Sequence, residues 1–187
     1  MSPILGIYAS QISGHLSTNN FSSIATVTVG SGGSSSISFT SIPSTYTHLQ
    51  VRALARSTES GSTNTNAFFQ FNGDTGSNYS EHQLAGDGSS ASASGAASQV
   101  WAYTGLTTGN SSSANMYGAL VVDVLDYASV NKTKTIKTLS GNDQNGSGYI
   151  LLRSGAWYST SAISSIVITP GGGSWQQYSS FALYGVK

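Results

Sequence analysis

The chain of 187 residues contains no cysteine, which excludes disulfide staples and thiolate metal sites. Charge is nearly as scarce. Asp, Glu, Lys and Arg make up 7% of the sequence, against about 25% in an average soluble domain. The seven acidic and seven basic residues cancel, so there is no electrostatic footprint for a polyanion, and nucleic-acid backbone is disfavoured as a partner. No apolar run approaches the ~20 residues of a membrane-spanning helix. The N-terminal Met1-Ser2-Pro3-Ile4-Leu5-Gly6-Ile7 has no basic region and too short an apolar stretch for a signal peptide. No Gly-x-Ser-x-Gly elbow places a nucleophile. No convincing helix pattern and no exact internal repeat occurs.

What is present suffices for one domain with a sizeable core. Hydrophobic residues reach 38% and aromatics 10%, enough to fold without a staple. Low charge is not the signature of disorder, which pairs low hydrophobicity with high charge. Ser, Thr, Asn and Gly stand in for the missing charges. They suit a β-protein whose surface is covered by hydroxyls and amides, or by neighbours.

The period-two signal is clearest in His48-Leu49-Gln50-Val51-Arg52-Ala53-Leu54-Ala55-Arg56. Leu49, Val51, Ala53 and Ala55 fall on one face, and His48, Gln50, Arg52 and Arg56 on the other, which predicts a half-buried strand. Leu54 is an exception on the polar side. The small pair Ala53 and Ala55 suggests close approach of a second sheet. Residues 24–29 alternate, and after a glycine turn residues 36–40 return as their hairpin partner. Residues 67–71, 79–84, 100–103, 119–125, 149–153, 163–168 and 179–186 read as further strands. Residues 86–97, rich in Gly, Ser and Ala, read as a long loop. Lys132, Lys134 and Lys137 suggest a solvated edge strand. About ten strands with short turns predict an all-β, two-sheet antiparallel sandwich of jelly-roll type over residues 21–187. Residues 1–20 form an N-terminal extended arm in this reading. Its apolar Ile4, Leu5, Ile7, Tyr8, Ile12 and Leu16 are the candidate attachment residues for a partner or sister subunit.

Candidate chemistry is sparse. Asn72-Gly73-Asp74-Thr75-Gly76-Ser77-Asn78 spaces oxygen side chains as calcium loops do, but Gln83 stands where the bidentate Glu belongs. A hairpin turn accounts for the same residues, and neither metal nor cofactor is expected. Glu81 and His82 point to opposite faces of a strand, so they make no acid–base pair. Asp123 and Asp126 read as strand-end or satisfied buried groups. No enzyme is expected. Most aromatics fill the core and subunit interfaces in this reading. Trp175, which follows glycines, is the best exposed candidate for glycan or partner contact, together with Trp157 and Tyr158.

Several stretches resemble uncharacterised virion structural proteins of phages, cyanophages among them. They are Ile4-Leu5-Gly6-Ile7-Tyr8-Ala9-Ser10-Gln11-Ile12-Ser13-Gly14-His15, Ile42-Pro43-Ser44-Thr45-Tyr46-Thr47-His48-Leu49-Gln50-Val51-Arg52, Phe71-Asn72-Gly73-Asp74-Thr75-Gly76-Ser77-Asn78-Tyr79 and Ser180-Phe181-Ala182-Leu183-Tyr184-Gly185-Val186. They touch both ends and the middle of the chain. The resemblance carries no catalytic residues. It implies a virion surface protein assembled in the host cytoplasm. One form is a homotrimeric jelly-roll cement or decoration protein bound to the major capsid protein or another virion protein. The other is a tail-fibre or tail-tip domain that recognises host-surface glycans. Capsid cement is preferred, because the arm is short and no triple-helical shaft or heptad precedes the domain. A free-standing lectin or glycan-active enzyme ranks third.

Overall fold

Alternating apolar residues divide the chain into twelve strands in the computed structural model, which describes residues 20–187. They are β1 (Phe21–Thr28), β2 (Ile37–Phe39), β3 (His48–Ala55), β4 (Asn64–Phe71), β5 (Tyr79–Gly86), β6 (Ala91–Gln99), β7 (Ala102–Thr108), β8 (Gly118–Leu125), β9 (Lys134–Asp143), β10 (Gly148–Trp157), β11 (Ile166–Pro170) and β12 (Ser180–Val186). Among the described residues there is no helix. One sheet has eight strands in the order β1-β12-β3-β8-β9-β10-β5-β6, and the other has four in the order β2-β11-β4-β7. All pairings between these strands are antiparallel.

This order contains a jelly roll. β1-β12-β3-β8 and β2-β11-β4-β7 are its two facing four-stranded sheets, and the chain crosses between them from β1 to β2, β2 to β3 and β3 to β4. Two hairpins are added. β5–β6 is inserted between β4 and β7, and β9–β10 between β8 and β11. Both join the large sheet on the far side of β8, so that sheet is twice as wide as its partner. The core lies between the jelly-roll halves. Leu49, Val51, Phe69, Phe71, Val122, Val124, Ile166, Ile168, Phe181 and Leu183 are all fully buried there, as their period-two or continuous apolar placement predicts.

Several expectations are corrected. Residues 36–40 do not pair with β1. Their β2 lies in the opposite sheet against β11, because the glycine turn carries the chain across the core. Gly33 has φ 77°, and a Cβ there would sit 2.8 Å from the Trp175 carbonyl, so only glycine fits. Residues 86–97 are not a long loop. β5 runs to Gly86, and β6 returns from Ala91. The turn between them is held by Asp87, whose Oδ1 accepts the N–H groups of Ser89 and Ser90 at 2.8 and 2.7 Å. β6 consists of Ala, Ser and Gly with Gln99 at its end, so hydropathy carries no period there.

The basic group is no solvated edge strand either. β9 is internal, between β8 and β10. Lys134 is fully buried, and its Nζ donates to the carbonyls of Ser129, Lys132 and Thr160 at 2.7, 2.8 and 3.2 Å. Burial pulls its ammonium below the ordinary value, and Asp126 pushes back. Arg56, expected on the polar face, is also buried. β3 ends at Ala55 and the alternation ends with it. The Arg56 guanidinium turns inward, where Nη1 donates to the carbonyls of Ser113 and Met116 and Nη2 to those of Asn110 and Ser112, all within 3.1 Å. One side chain thus organises the connection from β7 to β8. Arg56→Met should therefore cost about 2–3 kcal/mol in urea unfolding, the scale of hydrogen bonds to a charged donor. A loss below about 0.5 kcal/mol, typical of an ordinary surface change, would contradict that role.

Candidate functional site

Of the three proposed contact residues in the domain, only Tyr158 is on the surface. Trp175 is fully buried, contrary to expectation. The glycines before it serve close packing and not exposure. Its backbone pairs with Ser34, its ring lies 5.1 Å from that of Phe181, and Nε1 donates to the Ile168 carbonyl at 3.1 Å. Trp157, at the end of β10, is buried too, stacked at 17° on Tyr79. Burial holds the Tyr79 phenol un-ionised, with its pKa raised to about 12. Tyr158 is 60% exposed and reaches Ser80 Oγ at 3.1 Å. The arm residues Ile4, Leu5, Ile7, Tyr8, Ile12 and Leu16 lie outside the described residues.

The oxygen-rich loop at residues 72–78 is a hydrogen-bonded turn. Asn72 (φ 53°) and Gly73 (φ 69°) reverse the chain after β4. Asn72 Oδ1 accepts from the Ser164 and Ser165 N–H groups at 2.8 and 3.2 Å. Asp74 turns the other way, accepting from Trp157 Nε1 at 2.7 Å and the Gly76 N–H at 2.8 Å. The oxygens that the spacing groups together thus serve different protein donors. The Trp157 indole is the main reason the Asp74 carboxyl titrates below its ordinary 3.8; burial opposes it, and Asn78 and Gly76 assist. A lowered folded-state pKa means stabilisation that is present above the ordinary carboxylate value and lost as pH falls through the folded one. Asp74→Ala should cost about 1–2 kcal/mol at neutral pH. In melts at graded pH, the difference from the parent chain should shrink below pH 3.8. A pH-independent difference would show that the carboxylate charge is not involved.

Glu81 and His82 do point to opposite faces of β5, Glu81 buried and His82 exposed. Asp123 accepts from Gln50 Nε2 at 2.7 Å, and Asp126 closes the turn after β8 against Lys132 at 2.7 Å.

The outer face of the large sheet carries a feature that strand-by-strand reading missed. The backbone register places Val121, Leu139, Leu152 and Leu84 side by side across β8, β9, β10 and β5. The next row runs Leu54, Ala119, Gly141, Ile150. Leu54, Leu84, Leu139, Ile150 and Leu152 are each more than half exposed. A shallow depression of about 610 Å³ is lined by Ala119, Val121, Leu139, Gly141 and Ile150 together with residues 86–88 and the turn from β9 to β10. A contiguous aliphatic face of this kind is a candidate interaction surface, whereas single exposed apolar residues need no explanation. The sequence signal was the Leu54 exception, with counterparts in Leu139 on β9, Ile150 and Leu152 on β10 and Leu84 on β5. Compared with known proteins, the chain matches no family model, no curated protein and no solved structure.

Proposed function

We propose that this chain is a bacteriophage virion structural protein, a capsid cement or decoration subunit that stabilises the head shell as a homotrimer. The observation that carries the reading is the exposed aliphatic face of the eight-stranded sheet, and the occupant we assign to it is a second copy of the chain. Zero net charge lets copies approach without repulsion. The jelly-roll sandwich and the sequence resemblance support a particle component with no catalytic step, assembled in the host cytoplasm and displayed on the virion surface.

Magnitudes decide what this face does alone. Burying the exposed half of a Leu or Ile side chain returns about 1 kcal/mol, whereas association costs about 4–15 kcal/mol in lost translational and rotational freedom. Five such side chains therefore give weak pairing, and stable assembly needs more contacts. The apolar residues 1–16 supply them in this reading, by binding a sister subunit or the major capsid protein. One observation favours the alternative of a tail-fibre or tail-tip domain that recognises host-surface glycans. On the outer side of the small sheet, Phe68 stacks on Trp101 at 4.7 Å and meets Tyr103 edge-on at 4.7 Å, a half-buried aromatic platform of the kind sugars stack on.

Antibody-labelled particles imaged by electron microscopy should carry label over the head; label confined to the tail would select the alternative. In sedimentation, the purified chain should be trimeric, and the double variant Leu139→Lys, Leu152→Lys should be a folded monomer. Removing residues 1–16 should leave the melting temperature near normal and abolish incorporation into particles. Normal incorporation of both variants would exclude assembly through these surfaces.

A further inference from the structure

The widened sheet also creates a cleft on its inner side. β10, β5 and β6 extend past β7, the edge strand of the small sheet. The inner face of β5 and β10 there meets the residues that β4 and β7 turn outward. The resulting cavity of about 320 Å³ is lined by Glu81, Gln83 and Arg153 from the large sheet and by Asn66 and Tyr103 from the small one, with Tyr149 at its mouth. Its volume falls at the lower end of the range for small-molecule sites, about 300–1,000 Å³.

The polar groups in it are only partly matched by one another. Arg153 and Glu81 are 5% and 8% exposed. Arg153 Nε lies 2.9 Å from Glu81 Oε2, close enough to pair their charges but off the line of a hydrogen bond. Arg153 Nη2 donates to Gln83 Oε1. Arg153 Nε and Nη1 and Glu81 Oε2 have no hydrogen-bond partner. Such groups are costly when left unmatched in a buried setting. Burial draws the Arg153 guanidinium below its ordinary value, and Glu81 and Tyr103 push it back up; an arginine stays charged throughout. Tyr103 covers the guanidinium, ring centroid to Cζ 5.6 Å. Tyr149 is 39% exposed and offers a ring at the entrance.

We infer that this cleft binds a neutral saccharide, one sugar ring with adjacent hydroxyl groups. The ion pair sets the ligand's charge, because a carboxylate would meet Glu81 and an ammonium would meet Arg153. It also sets the pattern of hydrogen bonds. A diol donates to Glu81 Oε1 through one oxygen and accepts from the Gln83 amide nitrogen through its neighbour, while Arg153 Nε and Nη1 and Glu81 Oε2 lie closed off behind them. Tyr149 takes the C–H face of the ring, and the Asn66 amide supplies one further donor and acceptor. The Tyr103 edge continues into the Phe68–Trp101 stack, so a longer glycan has a platform to follow out of the cleft. Tyr149 also borders the depression on the aliphatic outer face, whereas the other residues that line the cleft do not.

The test is titration of the full chain with methyl glycosides of glucose, galactose and N-acetylglucosamine, with glucuronate and glucosamine as charged controls, followed by the ¹H–¹⁵N spectrum. At least one neutral glycoside should bind at millimolar concentration and shift the Arg153 side-chain resonance, and the charged controls should bind more weakly. Removing one partner of a buried pair risks unfolding, whereas replacing both with apolar residues is often neutral for stability. Glu81→Leu, Arg153→Met should therefore keep the folded spectrum and weaken binding about tenfold or more, the loss of one or two charge-assisted hydrogen bonds. Tyr149→Ala should weaken binding in a fully folded chain. Three outcomes would each overturn the inference: no response to any neutral glycoside up to tens of millimolar; a preference for a charged control; and undiminished binding by the double variant.

Discussion

The two sheets differ in width by a factor of two, and most other features follow from that mismatch. An eight-strand jelly roll buries its two inner faces against each other with nothing left over. Here the hairpins β5–β6 and β9–β10 both extend the same sheet, and four strands cannot cover eight. β7 packs against β8, β9 and β10 at the limit of the small sheet. β5 is covered only in part, and β6 has no second layer. Along β6 nearly every residue is exposed, on both faces. A strand in that position cannot be apolar, which is why it consists of Ala, Ser, Gly and Gln.

The same mismatch sorts polar from apolar on the two sides of the extension. Inside, where the overhang meets the outward side of β7, burial is deep but the space is not filled. Glu81, Gln83 and Arg153 line it beside the aliphatic Ala85, Leu106 and Leu151. Outside, the added strands carry Leu84, Leu139, Ile150 and Leu152 into solvent. Ordinary solvated sheet faces are polar. A charged pair buried within and aliphatic side chains exposed without distinguish the extension from the jelly-roll half and give the molecule two surfaces of different chemistry.

The jelly-roll half was legible in the sequence because it follows the period-two rule. Leu49, Val51, Phe69, Phe71, Phe181 and Leu183 were placed correctly by alternation alone, and they are the core. Three kinds of residue were not legible. Trp175 sits among glycines, and a single chain segment does not reveal that Ser34 and Gly33 close over it. β6 has no hydropathy period to detect. Buried cations were the third. Arg56, Lys134 and Arg153 are three of the seven Lys and Arg residues, and all three are buried. Two of them bond to backbone carbonyls of turns, partners that exist only once the chain has folded. The aliphatic outer face depends on register between strands far apart in sequence, so each of its residues looked like an isolated exception.

The central claim is that the outer aliphatic face is an interface between copies. Hydroxyl-radical footprinting across a concentration series tests it most directly, because it reads the side chains themselves. Labelling of Leu139, Ile150 and Leu152 should fall as concentration rises through the association midpoint, while labelling of Tyr158 and Tyr178, both well exposed elsewhere, should stay constant. Unchanged labelling of all five residues in an associated sample would contradict the account.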